Sequence, residues 1–199
     1  VYKLLDEEPP LQLDEPIKKA AVGIPYRPPV HTIAPQLDGK VTDYFEWLSA
    51  GFAAPGAGGS MHRADRFLDK VFFGFNQRHF YLRIDPAPGK MESIPPARSI
   101  HVHFTSPAEC QLALECKENN AWSHRVLRWP LPDQPPQFAG GRVLELEIPL
   151  EALGVREAAD VAFFIRVLEN GQEMERFPSA GFLSVHTDPW SLDQQDWLV

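Results

Sequence analysis

Histidines, cysteines, carboxylates and tryptophans are the residues of this chain that could do chemistry. His101 and His103 stand two apart in an alternating run, so a strand would set both imidazoles on one face, as a metal site requires. A third ligand is missing nearby in sequence, and no HExxH or CxxC pair occurs, so solvent-facing histidines on a sheet surface are the expectation. Nucleophilic catalysis lacks its parts as well. There is no G-x-S-x-G elbow, neither cysteine has a neighbouring histidine, and Gly56, Gly58 and Gly59 are not followed by the Lys-Ser or Lys-Thr of a phosphate loop. Asp38, Asp43 and Glu46 form an oxygen-rich cluster of the kind that holds calcium, although helix capping accounts for Asp43 and Glu46 and the spacing is not that of an EF-hand. The expectation is no catalytic residue and no cofactor, with calcium at this cluster as the alternative.

Aromatic residues are the more promising class. Trp47, Trp122, Trp129, Trp190 and Trp197 accompany 13 phenylalanines and 4 tyrosines. Trp122 follows Glu118-Asn119-Asn120-Ala121, a turn-like stretch that would leave its ring at a loop tip, free to stack on a sugar or a partner domain or else to cover a sheet edge. Trp190 and Trp197 are expected to pin an irregular tail over 188–199.

The elements that must position these groups are strands. Lys70–Asn76 and His79–Asp85, separated by Gln77-Arg78, read as a hairpin with Phe80, Leu82 and Ile84 inward and His79, Tyr81, Arg83 and Asp85 outward. Ser99–Thr105, Cys110–Cys116, Ser123–Trp129, Arg142–Ile148 and Asp160–Leu168 repeat the alternation, and Phe182–Val185 adds a last strand. The Asp160 run is apolar on both faces and should be central. About seven short strands, too tightly spaced for intervening helices, predict an all-β antiparallel sandwich. Thr42–Phe52 carries apolar residues at helical spacing and predicts one short helix, and Pro149–Gly154 predicts a helical turn stopped by Gly154. Seven prolines between Pro9 and Pro35 make residues 1–35 a mostly extended N-terminal arm reaching from an absent upstream domain, with the sandwich over 36–199.

Charge and composition exclude some partners. A net charge of −8 without a basic stripe argues against nucleic acid, and no apolar run approaches the roughly 20 residues that cross a bilayer. Cys110 and Cys116 sit at opposite ends of one strand, about 20 Å apart at 3.3 Å per residue, beyond the roughly 7 Å of a disulfide. Free buried thiols and a cytoplasmic setting are expected. Val1 in place of methionine suggests an excised piece.

Asp38-Gly39-Lys40-Val41-Thr42-Asp43-Tyr44-Phe45-Glu46-Trp47-Leu48, then Met61-His62-Arg63, Gly74-Phe75 and Phe80-Tyr81-Leu82-Arg83-Ile84-Asp85, resembles the C-terminal domain of some bacterial glycoside hydrolase family 57 enzymes, the amylase and amylopullulanase-like group. Val1-Tyr2-Lys3-Leu4-Leu5 with Pro9-Pro10 and Asp14-Glu15-Pro16-Ile17 is similar to the junction before that domain. Glu145–Gly154 is similar to a region of family 9 carbohydrate-binding modules and related cytochrome-like sandwiches. The resemblance implies a non-catalytic module beside an upstream glycoside hydrolase catalytic domain, which would bind α-glucan or dock that domain through Glu46, Trp47, His62, Arg63, Tyr81, Arg83 and Trp122. Two alternatives stand beside it. One is a haem-binding electron-transfer sandwich using Met61-His62, the other a purely structural interdomain module.

Overall fold

A computed structural model of the chain describes residues 24–41, 45–55, 66–91, 95, 97–117 and 121–188. These residues form twelve strands and no helix: β1 (Tyr26–Arg27), β2 (Gly51–Ala53), β3 (Leu68–Phe75), β4 (His79–Pro86), β5 (Arg98–Ser106), β6 (Cys110–Cys116), β7 (Trp122–Arg128), β8 (Gln137–Gly140), β9 (Leu144–Pro149), β10 (Ala159–Glu169), β11 (Gln172–Phe177) and β12 (Leu183–Thr187). Every pairing is antiparallel, in two sheets. The first runs β1-β2-β3-β4-β9-β8 and the second β11-β10-β5-β6-β7, with β12 continuing the β11 edge of β10. The architecture is the expected all-β sandwich.

Alternation decides which residues fill the space between the sheets. Phe80, Leu82 and Ile84 on β4 lie opposite Ile148, Leu146 and Leu144 on β9, and all six are buried. From the second sheet come Ile100, Val102 and Phe104 of β5 and Val161, Phe163, Ile165 and Val167 of β10. Phe163 is the hub, its ring centroid 5.9 Å from Phe73, 5.8 Å from Phe80 and 5.6 Å from Phe104. β10 has neighbours on both edges, as its two apolar faces required. Cys110 and Cys116 are free and buried at the two ends of β6. Burial pushes the Cys110 thiol up to about 11, and the thiol donates to the carbonyl of Ala152.

The short helix expected over Thr42–Phe52 is corrected. Residues 45–50 form tight turns, with Leu48 N–H donating to Phe45 O and Ala50 N–H to Trp47 O, and the chain then extends into β2. Pairing of β2 with β3 satisfies backbone groups that a helix of this length would leave open at its ends. The turn after β9 takes the expected form, closed by Ala152 N–H on Pro149 O, and Gly154 stops it at φ 79°. Four strands had no counterpart among the expected runs: β1, β2, β8 and β11. Residues 24–35, read with the arm for their prolines, lie against the sandwich, with β1 on β2 and Ile33 N–H bonded to Phe75 O.

Candidate functional site

Three residues of the sequence signature come together on the outer face of the first sheet. Tyr81 and Arg83 point away from the core, as expected, but they do not meet solvent, because Ile33, Leu37, Trp47 and Ala50 pack over this face. Trp47, Tyr81 and Arg83 are only 5%, 4% and 6% exposed. The Arg83 guanidinium lies 5.9 Å from the Trp47 ring and 5.0 Å from that of Phe72, and grips Asp85 through Nε and Nη2 at 2.6 and 2.8 Å. Tyr81 Oη accepts from Asn76 Nδ2 at 3.0 Å, and burial followed by the Glu147 charge raises its pKa. Rings covered in this way hold one layer on another and offer no face to a sugar.

The remaining expected site residues are dispersed. Glu46 is half-buried in the turn beside Trp47. His62 and Arg63, with Met61, lie outside the described residues, as do Asp43, Trp190 and Trp197. Trp122 is not at a loop tip. It is the first residue of β7, half-buried and paired with Cys116, and its Cβ approaches Gly140 so closely that no side chain could stand there. His101 and His103 share the outer face of the second sheet, half-buried, with His103 stacked on Phe164 at 4.6 Å and 7°. Burial and then Arg166 lower both imidazoles, His103 to about 4. Among the described residues no three His, Cys, Asp or Glu side chains are grouped to hold a metal.

An open cleft of about 400 Å³ lies instead where an edge of each sheet meets the other, between β1 and β12. Tyr26 forms its apolar wall. One face of its ring stacks on core Phe73 at 5.7 Å and 25°, and its hydroxyl donates to Ser184 O at 3.1 Å, so a ring that is 44% exposed is held from behind and at its tip. Pro28 and Pro29 extend that wall. The polar wall follows from period two on β12, where Leu183, Val185 and Thr187 turn inward while Ser184 and His186 face out toward Asp160 of β10. His186 Nδ1 and Asp160 Oδ1 are 2.8 Å apart, and Asp188 closes the rim. A pre-positioned ring beside carboxylates, an imidazole and a hydroxyl suits a pyranose, whose C–H face packs on an aromatic while its hydroxyls donate to carboxylates.

Sequence reasoning missed this cleft because Tyr26 stood among prolines and His186 and Asp188 beside the expected tail. The usable signal was the Ser184-x-His186-x-Asp188 alternation, which marks one polar face of a terminal strand.

Solved structures similar to the chain include two complexes of a carbohydrate-binding module. A family 9 carbohydrate-binding module from Caldicellulosiruptor kristjanssonii in complex with cellotriose aligns at 15% identity and a TM-score of 0.42, over 81% of this chain and 84% of that one. The same module in complex with glucose aligns at 14% identity and 0.43, over 81% and 86%. No protein-family model matches the chain, and no curated protein matches it.

Proposed function

We propose that this chain is a non-catalytic accessory module that binds the end of a glucan chain in the cleft between β1 and β12. The observation that carries the reading is Tyr26, a ring fixed on Phe73 and Ser184 with its remaining surface toward Asp160, Ser184, His186 and Asp188. Immobilising the platform before the ligand arrives lowers the ordering cost that weakens most sugar sites. The resemblance of Asp38–Leu48 to a family 57 C-terminal domain supports an α-linked glucan and an upstream glycoside hydrolase catalytic domain as partner.

Calorimetric titration with maltoheptaose, cellotriose and glucose tests the reading. Saturable binding of maltoheptaose, lost in Tyr26→Ala and weakened in Asp160→Asn, is the expected result. Absence of binding by all three sugars, or an affinity indifferent to Tyr26→Ala, overturns it.

Docking of the catalytic domain is a second reading, favoured by one surface feature. Val30, Phe45 and Leu48 are exposed apolar residues drawn together by the Val30 N–H to Ser49 O and Leu48 N–H to Phe45 O bonds. Leu48→Asp in the full-length protein would then lower its thermal stability without changing maltoheptaose affinity.

A further inference from the structure

A row of basic side chains crosses the outer face of the second sheet. Arg176 of β11 stands opposite Arg166 of β10, Arg166 opposite His101 of β5, His101 opposite Ala113 of β6 and Ala113 opposite Arg125 of β7. Five adjacent strands thus set these positions in one line about 19 Å long. No basic run announces it in the sequence, because each strand supplies a single residue.

Like charges directly opposite each other on neighbouring strands repel, and Arg166 and Arg176 are such a pair. The repulsion is only partly offset. Glu173 accepts from Arg166 Nε at 2.6 Å and Glu115 from Arg125 Nη2 at 2.8 Å. Arg176 instead donates through Nη1 and Nη2 to the carbonyls of Pro178 and Gly181 at 2.6 and 2.7 Å, and among the described residues it makes no ion pair. Both carboxylates belong to one flank of the row, where Glu173 stands opposite Leu168 and Glu115 opposite Ser99. The other flank carries Phe164, His103 and Gln111, none of them acidic. A guanidinium has five N–H donors, so both arginines keep donors to spare, and the Arg166 side chain is 33% exposed and open to a ligand.

The rings on that flank decide what kind of anion fits. Phe164 lies between the Arg176 guanidinium, 4.3 Å from its centroid, and the His103 ring, 4.6 Å away and 7° from parallel, and His103 stacks in turn on His101 at 6.1 Å. With both faces taken, Phe164 is no platform for a sugar or a nucleic-acid base. What remains is a set of planar N–H forks, which match carboxylates. A chain of net charge −8 repels a long polyanion, whereas a short acidic segment needs only these local donors.

We propose that the outer face of the second sheet docks an acidic polypeptide segment, its carboxylates held by Arg166 and Arg176 on the flank of His103 and Gln111. The field at His103 agrees. After burial, Arg166, His101 and Arg176 lower its pKa further and only Glu173 opposes them, so a docked carboxylate would raise it.

The test follows the His103 Cε1–H signal by NMR in the whole chain, assigned with His103→Gln. A blocked tetraglutamate peptide, its tetraglutamine counterpart, tetragalacturonate and a short single-stranded DNA are titrated at ionic strength held constant with NaCl. The expected result is a saturable shift and a raised His103 pKa with tetraglutamate, none with tetraglutamine, and weaker effects of the other two. Arg176→Gln is expected to weaken tetraglutamate binding by about tenfold, the loss of one charge-assisted hydrogen bond. If that variant does not fold, Gln111→Glu seats the chain's own carboxylate beside His103, and calorimetry should then show no binding. Tyr26→Ala should leave the titration unchanged, because this face shares no residue with the lining of the β1–β12 cleft. Shifts no larger than those from NaCl alone, tighter binding of tetragalacturonate or DNA than of tetraglutamate, or parent-like binding by Gln111→Glu overturns the proposal.

Discussion

Glu145 holds Gly39 in place from 106 positions away in the chain, its Oε2 accepting the Gly39 N–H at 2.9 Å and the adjacent Asp38 N–H at 3.1 Å. The pair explains why Asp38-Gly39-Lys40 opens the signature: the segment is a tight loop clamped to the outer face of β9, with Gly39 O accepting in turn from Arg142 and Val143. Glu145 is 1% exposed, its Oε1 has no hydrogen-bond partner, and burial raises its pKa against the opposing pull of the two backbone bonds. A carboxyl whose folded pKa is raised gives stability that is fully present below its unfolded pKa and lost as pH climbs through the folded value. Glu145→Gln keeps one oxygen for the two N–H groups and removes the buried charge, so it should unfold in denaturant at pH 7 at the same midpoint as the parent or a higher one. Glu145→Ala leaves two buried donors unpaired and should lose about 2–3 kcal/mol. A glutamine variant as weak as the alanine variant would show that the charge itself is needed.

The same loop forbids side chains where it touches β8. A Cβ on Gly141 would stand 2.5 Å from Gly39 O, and one on Gly39, at φ 69°, would stand 2.8 Å from the Gly140 carbonyl carbon. Backbone cannot yield as a flexible side chain can. Gly141→Ala should therefore cost about 2 kcal/mol or more by urea unfolding.

Acid should weaken the second sheet through His103. Its folded pKa is about 4, against about 6.5 when unfolded. Between those values the unfolded chain takes the proton and the folded chain does not, so this contribution is complete above pH 6.5 and declines as pH falls through 4. The imidazole is faced by Phe164, Gln111, His101, Arg166, Arg176 and Glu173, and a third cation beside Arg166 and Arg176 has only Glu173 to offset it. His101 is lowered by the same two leading causes, burial and then Arg166. Scanning calorimetry from pH 7.5 to 4.5 should show a falling Tm with a shallower slope in His103→Gln. Identical slopes would remove His103 from the account.

The inward rows were legible because burial on one face imposes period two on residues such as Phe80, Leu82 and Ile84, and the wholly apolar Asp160 run announced a strand covered on both sides. Segments whose pairing is decided by distant partners were not legible. Phe45, Leu48 and Phe52 have helical spacing, yet Trp47 and Ala50 are the buried pair and Phe45 and Leu48 face solvent, a choice made by contact with β3 and β4. β11, Gln-Glu-Met-Glu-Arg-Phe, shows no apolar alternation because it lies on a sheet edge, but Asn170-Gly171, both at positive φ, is a hairpin signal that could have placed it. The cleft was least accessible, since Tyr26 and Ser184 meet across 158 positions and no local pattern says which sheet edges adjoin.

Trp47 and Tyr26 separate stability from the recognition proposed for the β1–β12 cleft. Trp47 is the most conspicuous residue of the signature, but it is buried against Phe72 and Arg83, so its truncation removes packing and no ligand surface. Trp47→Ala should lower stability by about 3–5 kcal/mol and leave maltoheptaose affinity in the folded fraction unchanged. Tyr26→Phe should do the reverse in small measure. It keeps the ring on Phe73 and loses only the bond to Ser184 O, which at a part-exposed site is worth about 0.5–1 kcal/mol. The freed ring would weaken binding by a few-fold at most, whereas Tyr26→Ala removes the platform. Thermal unfolding and calorimetric titration of the three variants check this ordering, and a Trp47→Ala protein that folds but no longer binds would move the sugar site to the outer face of the first sheet.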